Sequence, residues 1–263
     1  MDSILFFLVS FFASVAGAIC GIGGGVIIKP LLDMFGLASV ATISFLSGCT
    51  VLSMSCYTVG RSLTEKDSRV DLHIGTPLAI GAAVGGVAGK QLFSAIAAMF
   101  SDPNRVGAVQ SCLLAAITVG TFIYTLQKEK IRGLHIRNRA ACLVIGLVLG
   151  IMSSFLGIGG GPINLVVLYF FFGMNTKTAA QNSLYVILFS QIASFITTLV
   201  TGTVPEFALP TLVLMVAGGI GGGISGRFVN KRMSAGAVDR LFLLLMAIII
   251  GISVYNTVRY LGI

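Results

Sequence analysis

A chain of 263 residues that is 56% hydrophobic and only 10% charged, with mean hydropathy +1.00, is not a soluble domain, where about 25% of residues are charged. Its formal charge of +8 does not argue for a nucleic-acid partner, because the basic residues sit in short loops between apolar runs, as the positive-inside rule requires. Cys20, Cys49, Cys56, Cys112 and Cys142 lie inside apolar runs without CxxC or zinc-ligand spacing and read as small packing residues.

In chain order, an apolar run at 3–20 ends in a glycine cluster, Gly21-Ile22-Gly23-Gly24-Gly25. The N-terminus lacks a basic region, so this first run reads as a membrane element and not a cleaved signal. A short apolar piece, 26–36, follows, then run 40–60, the charged loop from Arg61 to Asp71, run 74–98, a polar turn at 101–105 and run 107–126. The most basic loop, 127–139, contains Lys128, Lys130, Arg132, Arg137 and Arg139. The order then repeats. Run 140–156 leads to Gly157-Ile158-Gly159-Gly160-Gly161, and the short piece 162–173 follows. Runs 180–201, 207–227 and 241–261 complete the chain.

The second cluster lies 136 residues after the first. Gly85-Gly86-Val87-Ala88-Gly89-Lys90 recurs as Gly222-Gly223-Ile224-Ser225-Gly226-Arg227, offset by 137. Two matches in one order indicate duplication, with a first repeat over 1–126, a basic cytoplasmic linker over 127–139 and a second repeat over 140–263. Loops 61–72, 127–139 and 228–240 carry the basic residues and should be cytoplasmic. Segment 140–173 must then start and end inside, as a hairpin with glycine at its tip. By the same symmetry, segment 3–36 starts and ends outside. Five legs per half reverse the orientation. The expected fold is therefore an all-α, polytopic helical bundle of two inverted repeats, each opening with a glycine-broken hairpin. The short legs reach only ~17 Å, about half the hydrocarbon thickness, which puts both tips near the midplane.

Glycine breaks expose backbone N–H groups, and a helix restarting beyond them directs its positive end at whatever lies there. Gly21, Gly23, Gly24, Gly25, Gly157, Gly159, Gly160 and Gly161 are therefore candidate anion-binding positions; close helix packing is the alternative. Lys29 follows the first cluster by one turn, and a charge inside a membrane segment is costly. It either faces the anion or snorkels to the surface. Asp33, four residues on, shares its helix face and could pair with it or couple transport to protons or another cation. Asn164, Asn182, Ser183 and Ser47 are candidate polar ligands; the alternative for them is interhelical hydrogen bonding. Lys90 and Arg227, at corresponding repeat positions, either line gates or snorkel. His73 and His135 have no metal partner at suitable spacing. No nucleophile elbow, Walker loop or HExxH is present. No catalytic residue, metal or cofactor is expected.

A GIGGG followed by Pro30, and a second GIGGG with Pro162 and Asn164, in two similar halves of this length, resemble the sulfite exporter TauE/SafE family of membrane permeases. The resemblance implies a secondary transporter for small sulfur-containing anions (sulfite, thiosulfate, sulfoacetate and other organosulfonates) in a bacterial inner membrane. Family members are usually described with seven or eight spans, fewer than these ten legs. The residues leave a passive anion channel and a non-transporting scaffold open, as they do homo-oligomerisation.

Overall fold

The structure is a computed structural model that describes residues 2–65, 68–99, 103–158 and 160–262. Ten α-helices account for nearly all of it: α1 (Asp2–Cys20), α2 (Gly25–Phe35), α3 (Val40–Thr64), α4 (Leu72–Met99), α5 (Pro103–Gln127), α6 (Arg139–Leu156), α7 (Pro162–Phe170), α8 (Thr176–Val200), α9 (Leu209–Arg232) and α10 (Ala235–Leu261). All but α2 and α7 are long and apolar enough to cross a membrane, which makes eight candidate spans among the described residues. This reconciles ten legs with a lower number of spans. At 11 and 9 residues, α2 and α7 reach only about 16 and 14 Å.

The polar ends of the apolar runs fold as helix rather than loop. Most of the basic segment 228–240 is helical, because α9 continues through Lys231 and Arg232 and α10 begins at Ala235. Ser39 and Asn175, 136 residues apart, cap α3 and α8 by accepting from the Thr42 and Thr178 amides. The α1–α2 and α6–α7 breaks fall on the glycine clusters. Gly157 ends α6 at φ 66°, and Gly21 follows α1 at φ 78°, a left-handed conformation that a side chain disfavours.

The last carbonyls of the short helices lack partners within their own helix and find donors elsewhere in the protein. Arg259 of α10 donates to the Asp33 and Met34 carbonyls at 3.0 and 2.6 Å, and Asn256 donates to that of Pro30 at 2.8 Å. At the end of α7, the extended linker supplies Leu134 N–H to Phe170 and Ile136 N–H to Phe171, at 2.7 and 2.8 Å. The long helices that precede the breaks are treated alike. Asn230 donates to the Ile19 carbonyl of α1, and Gln110 to the Phe155 carbonyl of α6; Phe155 is 136 residues after Ile19.

The most extensive packing joins the two halves. Helix α1 lies along α9, α4 along α6, α5 along α10, and α3 meets both α8 and α9. The repeated glycine motifs make the first two pairings. A Cβ on Gly85 or Gly89 would collide with the α6 backbone at Leu147 or Ile151, and one on Gly222 or Gly226 with the α1 backbone at Phe11 or Val15. Small residues let backbones approach where lipid offers no hydrophobic drive. Large apolar side chains such as Phe12, Val84, Ile123, Val144, Ile196 and Leu244 face outward, as lipid requires.

Gly85→Leu and Gly222→Leu should each lower stability by about 1–3 kcal/mol or more through overpacking. Gly120→Leu, at a position with nothing within 4 Å, should leave it unchanged. Thermal unfolding in detergent measures the difference.

Candidate functional site

The main cavity lies between the N-terminal half of α3 and the C-terminal half of α8, and measures about 350 Å³. Its walls are more apolar than polar and nearly uncharged. Ser44 of α3, Ser153 and Ser154 of α6, Ser194 and Thr198 of α8, and the amides of Gln110 and Gln191 supply the polar groups. Phe45, Phe93 and Phe195 supply apolar walls, and Thr203 and Pro205 of the α8–α9 loop stand at the mouth. Lys90 of α4 is the one cation among the described lining residues, and no carboxylate is among them. Its ammonium donates to the Thr198 hydroxyl, a neutral partner that leaves its charge uncompensated. Ser44 Oγ, Ser153 Oγ, Ser154 Oγ and Gln110 Oε1 are buried without hydrogen-bond partners. Left so, such groups carry a desolvation cost.

The two glycine tips meet, but over apolar groups. A Cβ on Gly25 would strike the Ile158 carbonyl, and Ile22, Val26 and Ile158 are fully buried there. The opening therefore lies beside the second tip and not between the two. Gly157 lines it. Gly21, Gly23, Gly24 and Gly25 are buried away from it, with Gly21 packed on Ala180 of α8. Gly160 and Gly161 are also buried, Gly160 against Ile187. Gly159 lies outside the described residues. The restart at Pro162 provides no N–H at that position, so the second break offers fewer donors than the glycines alone suggest.

Lys29 and Asp33 do pair, Nζ to Oδ2 at 2.9 Å, with side chains 4% and 2% exposed. They do not snorkel. The Lys29 Cε lies 3.3 Å from where a Gly157 Cβ would stand, so the pair sits directly behind the cavity floor. Asp33 Oδ1 has no partner. Asn164 is buried with Oδ1 unpartnered, in a tight crevice that it shares with Gly160, Ser153 and Ser190. Ser47 and Ser183 are likewise buried and unpartnered, off the cavity wall. Asn182 is fully engaged elsewhere. It accepts from the Asp71 amide at 3.0 Å and donates to the Arg69 and Thr178 carbonyls, which ties the α3–α4 loop to α8. Cys49 lines the cavity, whereas Cys20 is buried.

Sequence reasoning passed over Ser153, Ser154, Ser194, Thr198 and Gln110. Their only sequence signal is a hydroxyl or amide within an apolar run, which many packing residues share.

At the opposite end of the bundle the helices are closed. Only about 40 Å³ remains among Ala18, Thr58, Ala180, Gln181, Leu184 and α9. Arg227 donates to the Thr58 carbonyl at 3.1 Å and to Glu65 at 2.7 Å, and Lys231 reaches the other Glu65 oxygen at 2.8 Å. A further ionic cluster at this end joins Lys128 to Asp239 at 2.6 Å, with Thr176 bonded to the same carboxylate.

The model of the sulfite exporter TauE/SafE family matches residues 6–254. The chain belongs to that family. No curated protein and no solved structure matches it. TauE/SafE is a family of membrane transporters, and the cavity, lined by hydroxyls, amides and one lysine, is the feature of this TauE/SafE chain that fits such work. Among the described residues no group of three metal-ligating side chains occurs.

Two outcomes follow from this TauE/SafE geometry. Lys29→Ala strands the Asp33 carboxylate and should cost about 3–5 kcal/mol of stability, much of which Lys29→Met with Asp33→Leu should restore; chemical unfolding in detergent reads both. The hydrogen bond from Lys231, with that from Arg227, holds Glu65 below the usual carboxylate range. A depressed carboxylate pKa gives stability that is complete above the unfolded value and lost as pH falls through the folded one. The thermal midpoints of wild type and Glu65→Gln should therefore differ at neutral pH and converge in acid.

Proposed function

We propose that this chain carries a small sulfur-containing anion, such as sulfite, thiosulfate or an organosulfonate, across a bacterial inner membrane by alternating access to the 350 Å³ cavity. The observation that carries this reading is the cavity's charge. One lysine, unpaired by any described carboxylate, shares the wall with the hydroxyls of Ser94, Ser194 and Thr198. That is an environment for an anion and not for a cation. Its volume lies within the range of small-molecule sites, about 300–1,000 Å³.

The loops with most basic residues belong to the closed end, so the positive-inside rule makes that end cytoplasmic and the cavity outward-facing. The inverted repeat is part of the same proposal, supported by the 136–137 offsets and by pairings that recur when the halves are exchanged, α1 with α9 as α6 with α4. A transporter is favoured over a channel because the inner end is closed by ion pairs and packed helices, whereas a channel needs a continuous pore. An inside-negative potential of 100 mV drives a monovalent anion outward by about 2.3 kcal/mol, so export needs no coupling ion. Uptake would need one, and the Lys29–Asp33 pair behind the floor is the charged element closest to that role.

Thermal stability of the purified protein should rise with one of sulfite, thiosulfate or sulfoacetate, but not with chloride, by ~2.7 kcal/mol at 100 times the dissociation constant. Lys90→Ala should remove the rise and Lys90→Arg should keep it. Flux of the same anion into proteoliposomes should follow the same order. Stabilisation unaffected by Lys90→Ala would overturn the assignment of the site.

A further inference from the structure

The closed crevice and the open cavity are lined by corresponding residues. Ala18, Thr58 and Ala180 line the crevice; Ser154, Ser194 and Ser44 line the cavity. Each pair is separated by 136 residues. Arg227 of the crevice corresponds to Lys90 of the cavity at an offset of 137. Gln181 and Leu184 pair with Phe45 and Gly48 at 136, and Asn230 and Lys231 with Phe93 and Ser94 at 137. Every crevice residue thus has its counterpart on the cavity wall. The two spaces lie at opposite ends of the same two helices. The cavity uses the N-terminal half of α3 and the C-terminal half of α8; the crevice uses Thr58, late in α3, and Ala180 to Leu184, early in α8.

We propose that the crevice is a second anion site, the inward-facing counterpart of the cavity, with Arg227 as its cation and with Glu65 as the latch that holds it shut. The proposal rests on the alternating-access reading. Its physical basis is a difference between the two ends. Lys90 bonds only a neutral threonine, so among the described residues the outer end has no ion pair to hold it closed. The residue 136 after Glu65 is Thr201, which cannot supply one. At the inner end Glu65 bridges Arg227 and Lys231 with both carboxylate oxygens. The carboxylate occupies the cation that an incoming anion would need. An anion arriving from the cytoplasm therefore competes with Glu65 for Arg227, and winning that competition opens the crevice.

The test uses thiol labelling. Cys49, Cys56 and Cys112 are replaced by alanine, while buried Cys20 and Cys142 are kept. Single Thr58→Cys and Ser194→Cys substitutions are then probed with a membrane-impermeant thiol reagent, in inside-out vesicles and in spheroplasts respectively. With Glu65 intact, Ser194→Cys should label readily and Thr58→Cys at least tenfold more slowly. Adding Glu65→Gln should speed labelling at Thr58→Cys severalfold and slow it at Ser194→Cys in step. Sulfite or thiosulfate should then protect Thr58→Cys, and Arg227→Ala should remove the protection. Faster labelling at Thr58→Cys with no change at Ser194→Cys would show local loosening only and overturn the proposal, as would no change at either. Reciprocal labelling without protection by any anion would instead retain the two-faced geometry and reject the anion reading. Should the alanine background fail to fold, hydrogen exchange of the otherwise native protein with and without Glu65→Gln gives the same comparison. Faster exchange late in α9 must then accompany slower exchange late in α8, and its absence overturns the latch.

Discussion

A backbone hydrogen bond broken inside hydrocarbon must be repaired by protein. Two glycine clusters break the helical ladder here, and much of the structure is arranged around that repair. Asn230 and Gln110 reach across from other helices to the carbonyls of Ile19 and Phe155. Arg259, Asn256 and the extended linker take those at the ends of α2 and α7. One of these repairs also builds the site. Gln110, which spends its amide nitrogen on Phe155, also lines the cavity.

The breaks could not be buried without tight packing around them, and the glycine stripes of α4 and α9 provide it. Each draws a helix of the opposite half into backbone contact. The halves are therefore interlocked, and the cavity is walled by both. The pairs α1–α9 and α4–α6 touch backbone to backbone along their glycine stripes, and α3 and α8 pack across them at fewer close points, Gly219 on Thr50 and Gly86 on Ser190 among them. Relative movement of these units against α3 and α8 would change both ends of the bundle together. The proposed alternating access requires a coupling of that kind.

Charge gives the two ends different characters. The cavity holds a lysine facing neutral groups, and the crevice at the opposite end holds an arginine already occupied by Glu65. Lys29 and Asp33 lie behind the floor, neutralising each other within about one turn of helix. A buried ion pair is weak evidence for stability, because desolvation offsets its Coulombic gain. Its position against Gly157 ties it to the cavity more closely than its energy does.

Hydropathy and the two glycine clusters determined the membrane class, the ten helices among the described residues and the two places where the helical ladder breaks. These are properties of local runs, and local runs are read directly. The Lys29–Asp33 pairing was legible too, because i,i+4 spacing on a helix is itself a distance. The location of the cavity was not. Whether a hydroxyl such as Ser153 or Ser154 faces a neighbouring helix or an opening depends on how α6 is rotated against α3 and α8. Contacts with α4, in the other half of the chain, set that rotation. For the same reason the glycine tips, alike in sequence, differ in use: Gly157 faces the opening, and Gly21 is pressed against Ala180. Tertiary packing decided which of two equivalent breaks meets the cavity, because here the helices part at one end and are packed together at the other.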